Sequence, residues 1–282
     1  MKPGVTSARE TSAGTITSEQ GMRHADALIV AENVSQVYAS ADGGLIPAVQ
    51  STSFSIKAGE FVCILGPSGC GKSTLLMMIA GLLRPSAGHI LFNGSEITRP
   101  HREFGMVFQD AVLFPWRTVQ KNVELPHEIS NREDIERARE MISLVGLAGF
   151  ENKYPHELSG GMQQRVAIAR ALTLKPSLLL MDEPFVALDE MTREQMNREI
   201  QRISLESQAT IVFVTHSILE AAFLSDRVFV MNGRPSTVRH IVEIDVPRPR
   251  PLELMTSDVM GGYVTHLRGL LGATQGGSAR DH

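Results

Sequence analysis

Residues 66–73 read Gly-Pro-Ser-Gly-Cys-Gly-Lys-Ser, which fits the pattern G-x-x-x-x-G-K-[ST] of a phosphate-binding loop. The apolar run 61–65 before it predicts a buried strand, and the run 72–83 after it predicts a helix that ends at Arg84-Pro85. A glycine-rich turn can match such a pattern by chance. The flanking strand and helix favour a true phosphate-binding loop over that alternative.

Each part of this segment has a chemical reason to bind a nucleotide. Glycines let backbone N–H groups converge on phosphate oxygens, and the helix start adds positive potential. We expect Lys72 to bind the β- and γ-phosphates and the Ser73 hydroxyl to bind Mg²⁺. The residues predicted to line the nucleotide are Gly66, Pro67, Ser68, Gly69, Cys70, Gly71, Lys72, Ser73 and Thr74.

Two acidic residues follow the apolar run 178–181. We expect this run to be a strand beside the phosphate strand, so that Asp182 reaches Mg²⁺ or its water shell. Glu183 would then polarise a water molecule for attack on the γ-phosphorus. An acidic pair can also simply end a strand, but the phosphate loop favours the catalytic interpretation.

Another apolar run, 210–215, ends at His216. A histidine there could sense or stabilise a γ-phosphate. A single histidine is more often a structural or surface residue. Its position after a strand, downstream of the two acids, favours the functional interpretation.

Residues 158–165, Leu-Ser-Gly-Gly-Met-Gln-Gln-Arg, predict a second anion site. Ser159 is a suitable N-cap, and the helix after it would present free N–H groups beside Gly160 and Gly161. The alternative is an ordinary helix start whose glycines permit tight packing.

Strands alternate with helices along the chain, which predicts a doubly wound α/β sheet. Residues 1–25 are polar and aperiodic and predict a disordered tail, 26–250 a folded domain, and 251–282 a C-terminal tail. The strand signal is lost between residues 118 and 173, which predicts an inserted helical subdomain of about 110–173. Thr192 and Gln195 are spaced as a capping box near the start of a later helix.

The composition excludes some classes of protein. The 282 residues include 43% hydrophobic and 21% charged residues, as in a soluble globular protein. A net charge of −4 and a pI near 6.1 argue against non-specific nucleic-acid binding. Cys63 and Cys70 are too few for a disulfide scaffold, so we expect reduced thiols. The apolar run 75–83 is about half of the ~20 residues that span a bilayer, and no apolar signal core is evident.

From residue 28 to 245, the sequence resembles the nucleotide-binding subunits of ABC transporters. The motifs occur in that family's order: the phosphate loop, Gln109, 158–163, Asp182-Glu183, Ala187-Leu188-Asp189 and His216. The resemblance implies a P-loop NTPase of the ABC type with an antiparallel β subdomain. It also implies hydrolysis of ATP with Mg²⁺.

The resemblance assigns further residues. Gln109 would complete the Mg²⁺ shell and act in catalysis. Two copies would pair head to tail, with Ser159, Gly160 and Gly161 touching the partner's γ-phosphate. Asp189 would lie at the seam of this dimer. Tyr38 would stack on adenine, although a tyrosine there could equally be surface packing.

Three segments resemble the nitrate, sulfonate and taurine importer group: 114–116, 182–189 and 246–250. Ser217 and Val186 depart from that group's usual acid and glycine. The resemblance implies two membrane-spanning permease subunits, an extracytoplasmic solute-binding protein and a peripheral location on the cytoplasmic face of the inner membrane. Nucleic acid is not among the expected partners.

Residues 113–116, Leu-Phe-Pro-Trp, either pack into the core or form an exposed apolar patch that docks a permease helix, and the sequence leaves both open. Two other classes compete with a transporter subunit. One is an ABC ATPase of DNA repair or translation, but the coiled-coil insertions or tandem halves of such proteins are absent. The other is a small-molecule kinase, in which 158–163 would have no role.

Overall fold

The computed structural model describes residues 10–12, 27–40, 42–131, 134–186 and 188–272. The strands are β1 (Glu10–Ser12), β2 (Ala27–Ala39), β3 (Leu45–Lys57), β4 (Phe61–Leu65), β5 (Ala87–Phe92), β6 (Ser95–Glu96), β7 (Phe104–Val107), β8 (Leu178–Asp182), β9 (Thr210–Thr215), β10 (Arg227–Asn232) and β11 (Thr237–Glu243). The α-helices are α1 (Lys72–Ile79), α2 (Val119–Ile129), α3 (Ile135–Leu144), α4 (Gly160–Leu172), α5 (Glu190–Ser207), α6 (Ile218–Leu224) and α7 (Asp258–Gly272). Short 3₁₀ turns occupy Pro155–Glu157 and Leu252–Thr256.

The main sheet has the strand order β1-β11-β10-β4-β9-β8-β7. The strands from β10 to β7 are parallel, and β11 and β1 continue the sheet in antiparallel fashion. β4, β8 and β9 are buried along their whole length. Parallel strands with both faces covered require such continuous apolar runs, which is why these segments were recognisable as strands.

Each face of the main sheet packs against a different layer. Phe61 and Cys63 of β4 belong to the core that includes residues of α5, α6 and α7. Val62 and Ile64 belong to the core shared with α1 and the second sheet, whose order is β3-β2-β5-β6 and whose pairs are all antiparallel. The predicted α/β fold with an antiparallel β subdomain is therefore confirmed.

The position of β8 differs from the prediction. We expected the strand that ends in Asp182 to lie directly beside the phosphate strand, but β9 lies between β4 and β8. Strand order depends on how the connections cross the sheet, and the sequence of a single strand does not encode it. Between β7 and β8 the described residues form α2, α3 and α4 and no strand, and all three helices lie within the predicted interval 110–173.

Two helix boundaries also differ from the sequence-based prediction. α1 ends at Ile79 rather than at residue 83. α5 begins at Glu190, and its N-cap is Asp189, whose side chain accepts a hydrogen bond from the Thr192 backbone N–H. The predicted capping box at Thr192 is therefore wrong. Aspartate is at least as good an N-cap as threonine, so the earlier residue starts the helix.

The two predicted tails need correction where the structure describes them. Glu10–Ser12 pair with the edge strand β11, because an edge strand offers unpaired backbone groups. The remainder of 1–25 lies outside the described residues. Residues 252–272 are ordered as a 3₁₀ turn and α7, and the residues after 272 lie outside the described part.

The prediction of a tail after residue 250 fails because α7 buries one face. Met260, Tyr263 and Leu267 are at helical spacing and pack into the core, and the Tyr263 hydroxyl accepts a hydrogen bond from the Asp245 N–H at 3.0 Å. The four glycines of this helix lower its intrinsic helix propensity, so the pattern was easy to miss.

The proline-rich segment 246–251 is anchored to the domain by Arg250. Arg250 is buried, and its guanidinium donates to backbone carbonyls at the C-terminal end of α6, those of Ala222, Phe223 and Ser225. Gln201 of α5 exchanges two hydrogen bonds with the Arg250 backbone. This arrangement satisfies carbonyls that a helix end leaves without partners.

Within the described part of the chain, no helix has both the length and the apolar character that crossing a membrane would require.

The packing of α7 generates a stability prediction. Leu267 is fully buried, so Leu267→Ala should lower the free energy of unfolding by about 2–5 kcal/mol, through lost burial and the cavity left behind. Val259→Ala, at an exposed position of the same helix, is the matched control and should change it by less than about 0.5 kcal/mol. Urea denaturation measures both variants, and equal stability of the two would contradict the packing of α7.

Candidate functional site

The phosphate loop joins β4 to α1 and needs glycine at two positions for steric reasons. A Cβ atom on Gly66 would overlap the carbonyl oxygen of Met231 in β10. Gly71 has φ +101° and lies against the carbonyl oxygen of Ala48, where a Cβ would be only 2.8 Å away. The second sheet and β10 therefore press on the loop from two sides and shape it.

Cys70 lies in the loop but points away from its surface. Its side chain is 2% exposed and packs in the core beneath α1. Burial raises the pKa of the Cys70 thiol, and the charge of Lys72 only partly opposes that effect. Pro67, Ser68 and Gly69, by contrast, form the exposed crest of the loop. The Cys70 side chain thus belongs to the core, and only its backbone can face a nucleotide.

Lys72 connects the phosphate loop to the carboxylate pair. Its side chain is 3% exposed, and Nζ donates to the carbonyl oxygens of Gly66 at 3.0 Å and Pro67 at 3.1 Å. Nζ also lies 3.1 Å from Glu183 Oε1. A buried ammonium group needs such partners, because its desolvation is costly.

Ser73 and Asp182 meet although they lie 109 positions apart in sequence. The Ser73 hydroxyl donates to Asp182 Oδ1 at 3.0 Å. Burial raises the pKa of Asp182, as does the neighbouring Glu183 carboxylate, while Ser73 and Lys72 oppose the rise. A hydroxyl and a carboxylate oxygen at this spacing are ligands that suit Mg²⁺.

Mg²⁺ commonly takes one or two protein oxygens and fills its remaining positions with phosphate oxygens and water. In the described ranges, no cluster of three or more His, Cys, Asp and Glu side chains could hold a metal alone. The Ser73–Asp182 pair fits the first type of site and not a fully protein-built one.

Glu183 lies between a lysine and a histidine. His216 Nδ1 is 2.8 Å from Glu183 Oε2, and Lys72 contacts the other carboxylate oxygen. Burial raises the pKa of Glu183, but the hydrogen bonds from His216 and Lys72 outweigh burial, so the pKa is lowered overall. Glu183 is thus a carboxylate at neutral pH, as a general base must be.

The backbone of Glu183 is unusual as well. Its φ is +42°, a left-handed conformation that few residues other than glycine adopt, and its N–H donates to the Val214 carbonyl at 3.0 Å. Strained backbone of this kind is often found at functional sites.

The candidate second anion site is the exposed start of α4. Ser159 caps this helix by accepting a hydrogen bond from the Met162 N–H at 3.3 Å. Gly160 has open space around its Cα, whereas a Cβ on Gly161 would lie 2.8 Å from Thr192 of α5. Asp189 caps α5 and accepts hydrogen bonds from both the N–H and the hydroxyl of Thr192. The close approach of Gly161 to Thr192 places the starts of α4 and α5 side by side.

Two other predicted residues can now be located. Gln109 is exposed two residues beyond the end of β7. Tyr38 is part of β2, and its hydroxyl lies 3.3 Å from the Thr74 hydroxyl at the start of α1. The tyrosine ring is therefore next to the phosphate loop.

The motifs did not predict one neighbour of the phosphate loop, Arg234. Its guanidinium, in the turn between β10 and β11, donates to the Ser68 carbonyl at 3.2 Å. A Cβ on Gly69 would lie only 2.8 Å from the same guanidinium. Nothing in the local sequence around Arg234 indicates this contact, because the loop and the turn meet only through the pairing of β4 with β10.

These features define the class of protein. A glycine-rich loop leads from a parallel strand into a helix, with a lysine, a serine and two carboxylates converging beside it, as in P-loop nucleoside triphosphatases.

Comparison with known proteins identifies the family. Residues 49–186 match the family described as ABC transporter. The nitrate import ATP-binding protein of Synechococcus elongatus is 46% identical over 234 residues, which cover 80% of this chain and 36% of that protein. The aliphatic sulfonates import ATP-binding protein of Bacillus cereus is 41% identical over 223 residues, covering 79% of this chain and 89% of that protein.

A solved structure extends the similarity to three dimensions. The dimeric post-hydrolysis state of an ATP-binding cassette with ADP and phosphate shares 34% identity at a TM-score of 0.69. The match covers 78% of this chain and all of that one. The chain belongs to the ABC transporter family. Its predicted ABC-type fold and ATPase activity are confirmed at the level of that family.

Proposed function

We propose that this chain hydrolyses ATP at the Lys72–Glu183–His216 cluster to drive an importer for a small solute. The observation that carries the proposal is the position of Glu183. It is a carboxylate held by Lys72 on one oxygen and by His216 on the other, beside the phosphate loop. This is the geometry expected of a base that orients water against a bound phosphate.

Each residue of the site has its own proposed role in the reaction. Ser73 and Asp182 would hold Mg²⁺, which supplies neutralisation of charge on the β- and γ-phosphate oxygens, and Gln109 is proposed to complete its shell. Glu183 accepts a proton as water attacks the γ-phosphorus, and the bond to the β-phosphate oxygen breaks to leave ADP and phosphate. Lys72 and the loop N–H groups stabilise the phosphates, while His216 holds Glu183 and is proposed to contact the γ-phosphate.

We further propose that two copies act as a head-to-tail pair. Ser159, Gly160 and Asp189 are exposed at the starts of α4 and α5, where free backbone N–H groups favour an anion. The buried Gly161 lets these two helices approach each other. The dimeric state of the structurally similar ATP-binding cassette supports the pairing. On the open face, Tyr38 is proposed to stack on adenine.

The relatives support a particular cargo and location. Their names associate them with import of nitrate and of aliphatic sulfonates, which are small anions. We propose a solute of the nitrate, sulfonate or taurine kind, two permease subunits and an extracytoplasmic solute-binding protein. In that assembly the chain is peripheral, on the cytoplasmic face of the inner membrane. The same names favour transport over a kinase or a DNA-repair ATPase.

A surface for the permease is available near Gln109. Trp116 is 71% exposed, and Val112 is also exposed, while Leu113 packs against the core. Asn122 accepts from the Phe114 N–H and donates to its carbonyl, which anchors the segment to α2. The segment thus has a fixed inner side and an apolar outer side, as a docking surface requires.

The role of Glu183 can be tested by Glu183→Gln. The amide is the same size but cannot accept the proton, so kcat for ATP hydrolysis should fall by about 100-fold or more while ATP still binds. Phosphate release and titration with a fluorescent ATP analogue measure the two properties. Glu253→Gln, at an exposed position away from the site, is the charge-matched control and should hydrolyse ATP normally. Unaltered turnover of Glu183→Gln would refute this role.

The head-to-tail pair can be tested at Ser159. In the Glu183→Gln background, ATP should shift the protein to a dimer in size-exclusion chromatography with light scattering. Adding Ser159→Arg should abolish the dimer but leave ATP binding by the monomer intact, because the large side chain covers the start of α4. Ser159→Thr keeps the capping hydroxyl and should still dimerise. A normal ATP-dependent dimer of the arginine variant would argue against the contact.

Trp116→Ala should weaken co-purification with the permease subunits without lowering thermal stability, because the ring is mostly exposed. Ile129→Ala removes an equally exposed apolar side chain at the far end of α2 and serves as the control. Co-purification of tightly bound DNA or ribosomes instead of membrane subunits would contradict the transport function.

A further inference from the structure

A buried carboxylate lies beneath the loop that carries His216. The Glu220 side chain, in α6, is only 8% exposed, and Glu220 Oε2 accepts a hydrogen bond from the Thr215 hydroxyl at 2.5 Å. A carboxylate at such depth is costly unless it is paired. The roles proposed above for Lys72, Glu183 and His216 do not involve the Glu220 carboxylate.

Its charged partner comes from another element. Arg193, the fourth residue of α5, places Nε 3.6 Å from Glu220 Oε1. Another nitrogen of the same guanidinium, Nη2, donates to the Leu188 carbonyl at 3.0 Å. Arg193 therefore joins the segment just before Asp189 to the helix that follows His216.

Thr215 transmits this contact to the His216 loop. Its hydroxyl donates to Glu220 and accepts from the Ser217 N–H at 3.0 Å. The Ser217 hydroxyl in turn accepts from the Glu220 N–H at 3.3 Å. His216, between Thr215 and Ser217, is thus held at both sides in the turn that directs its ring to Glu183.

We propose that the Arg193–Glu220 pair has a positioning role. It links the Asp189 segment to the His216 loop and keeps the His216 ring within hydrogen-bonding distance of Glu183. The proposal rests on the function proposed above for Glu183 and His216. Neither Arg193 nor Glu220 contacts the phosphate loop in any hydrogen bond or ion pair of the described residues.

The electrostatics agree with this assignment. Burial raises the pKa of Glu220, whereas the Thr215 hydrogen bond and the charge of Arg193 oppose the rise. Glu183 adds like-charge repulsion from the catalytic side. Removal of Arg193 would leave the buried Glu220 carboxylate without its paired cation, and the turn that Glu220 and Thr215 hold around His216 would be less firmly fixed.

The test separates positioning from simple stability. Arg193→Ala should lower kcat for ATP hydrolysis by about 10-fold with KM for ATP changed less than about 2-fold, since the coupled groups act on the reacting arrangement and not on the phosphate loop. Arg193→Lys should recover most of the rate, because it retains the charge. Arg198→Ala, at an exposed position of the same helix, should behave as wild type.

Glu220→Gln provides a second variant that keeps the side-chain shape and still accepts from Thr215. It should reproduce the kcat loss of Arg193→Ala, and the double variant should be no slower than the slower single one, since both remove one interaction. If thermal stability and kcat fall, KM rises, and Arg193→Lys restores none of them, the role is merely structural and the proposal is overturned.

Glu183→Gln, measured in parallel, distinguishes failure of the proposed catalytic function from failure of the proposed positioning role. If it retains turnover, the proposed catalytic function fails. If it is inactive while Arg193→Ala and Glu220→Gln turn over like wild type, only the positioning role is refuted.

Discussion

The arrangement of the site depends on the buried ammonium group of Lys72. It is nearly inaccessible, and it is held by two carbonyls of its own loop and by Glu183. An unpaired charge at that depth would be strongly destabilising, so the loop, α1 and the end of β8 must keep one geometry. The same contact orients Glu183 toward His216. The interaction that stabilises the buried charge therefore also positions the proposed catalytic base.

The parallel sheet brings these partners together. The carboxyl ends of β4, β8 and β9 meet at one edge, so the phosphate loop, Asp182-Glu183 and His216 lie side by side although they are far apart in sequence. Because β9 separates β4 from β8, α1 must bring Ser73 across to Asp182. The second sheet and the turn carrying Arg234 hold the loop from outside.

Motifs predicted much of the site, because each depends on local chemistry. A loop that wraps phosphate needs glycines at fixed spacing, and fully buried strands need unbroken apolar runs. Local patterns were less informative where contacts come from elsewhere in the chain. The Cys70 side chain joins the core, and α7 packs where a tail was expected. Arg234 contacts Ser68 and Glu220 contacts Arg193, and both partners are distant in sequence.

The sequence alone therefore determined the class of fold, the phosphate loop, the carboxylate pair and the family resemblance, since short-range spacing and apolar periodicity encode these features. Only the tertiary structure decided the strand order, the inward turn of Cys70, the order of the C-terminal helix and the links from Arg193 through Glu220 to the His216 loop. Those features depend on which distant segments of the chain come into contact. Strand pairing and the burial of charged groups determine these contacts, and both are complete only when the whole chain has folded.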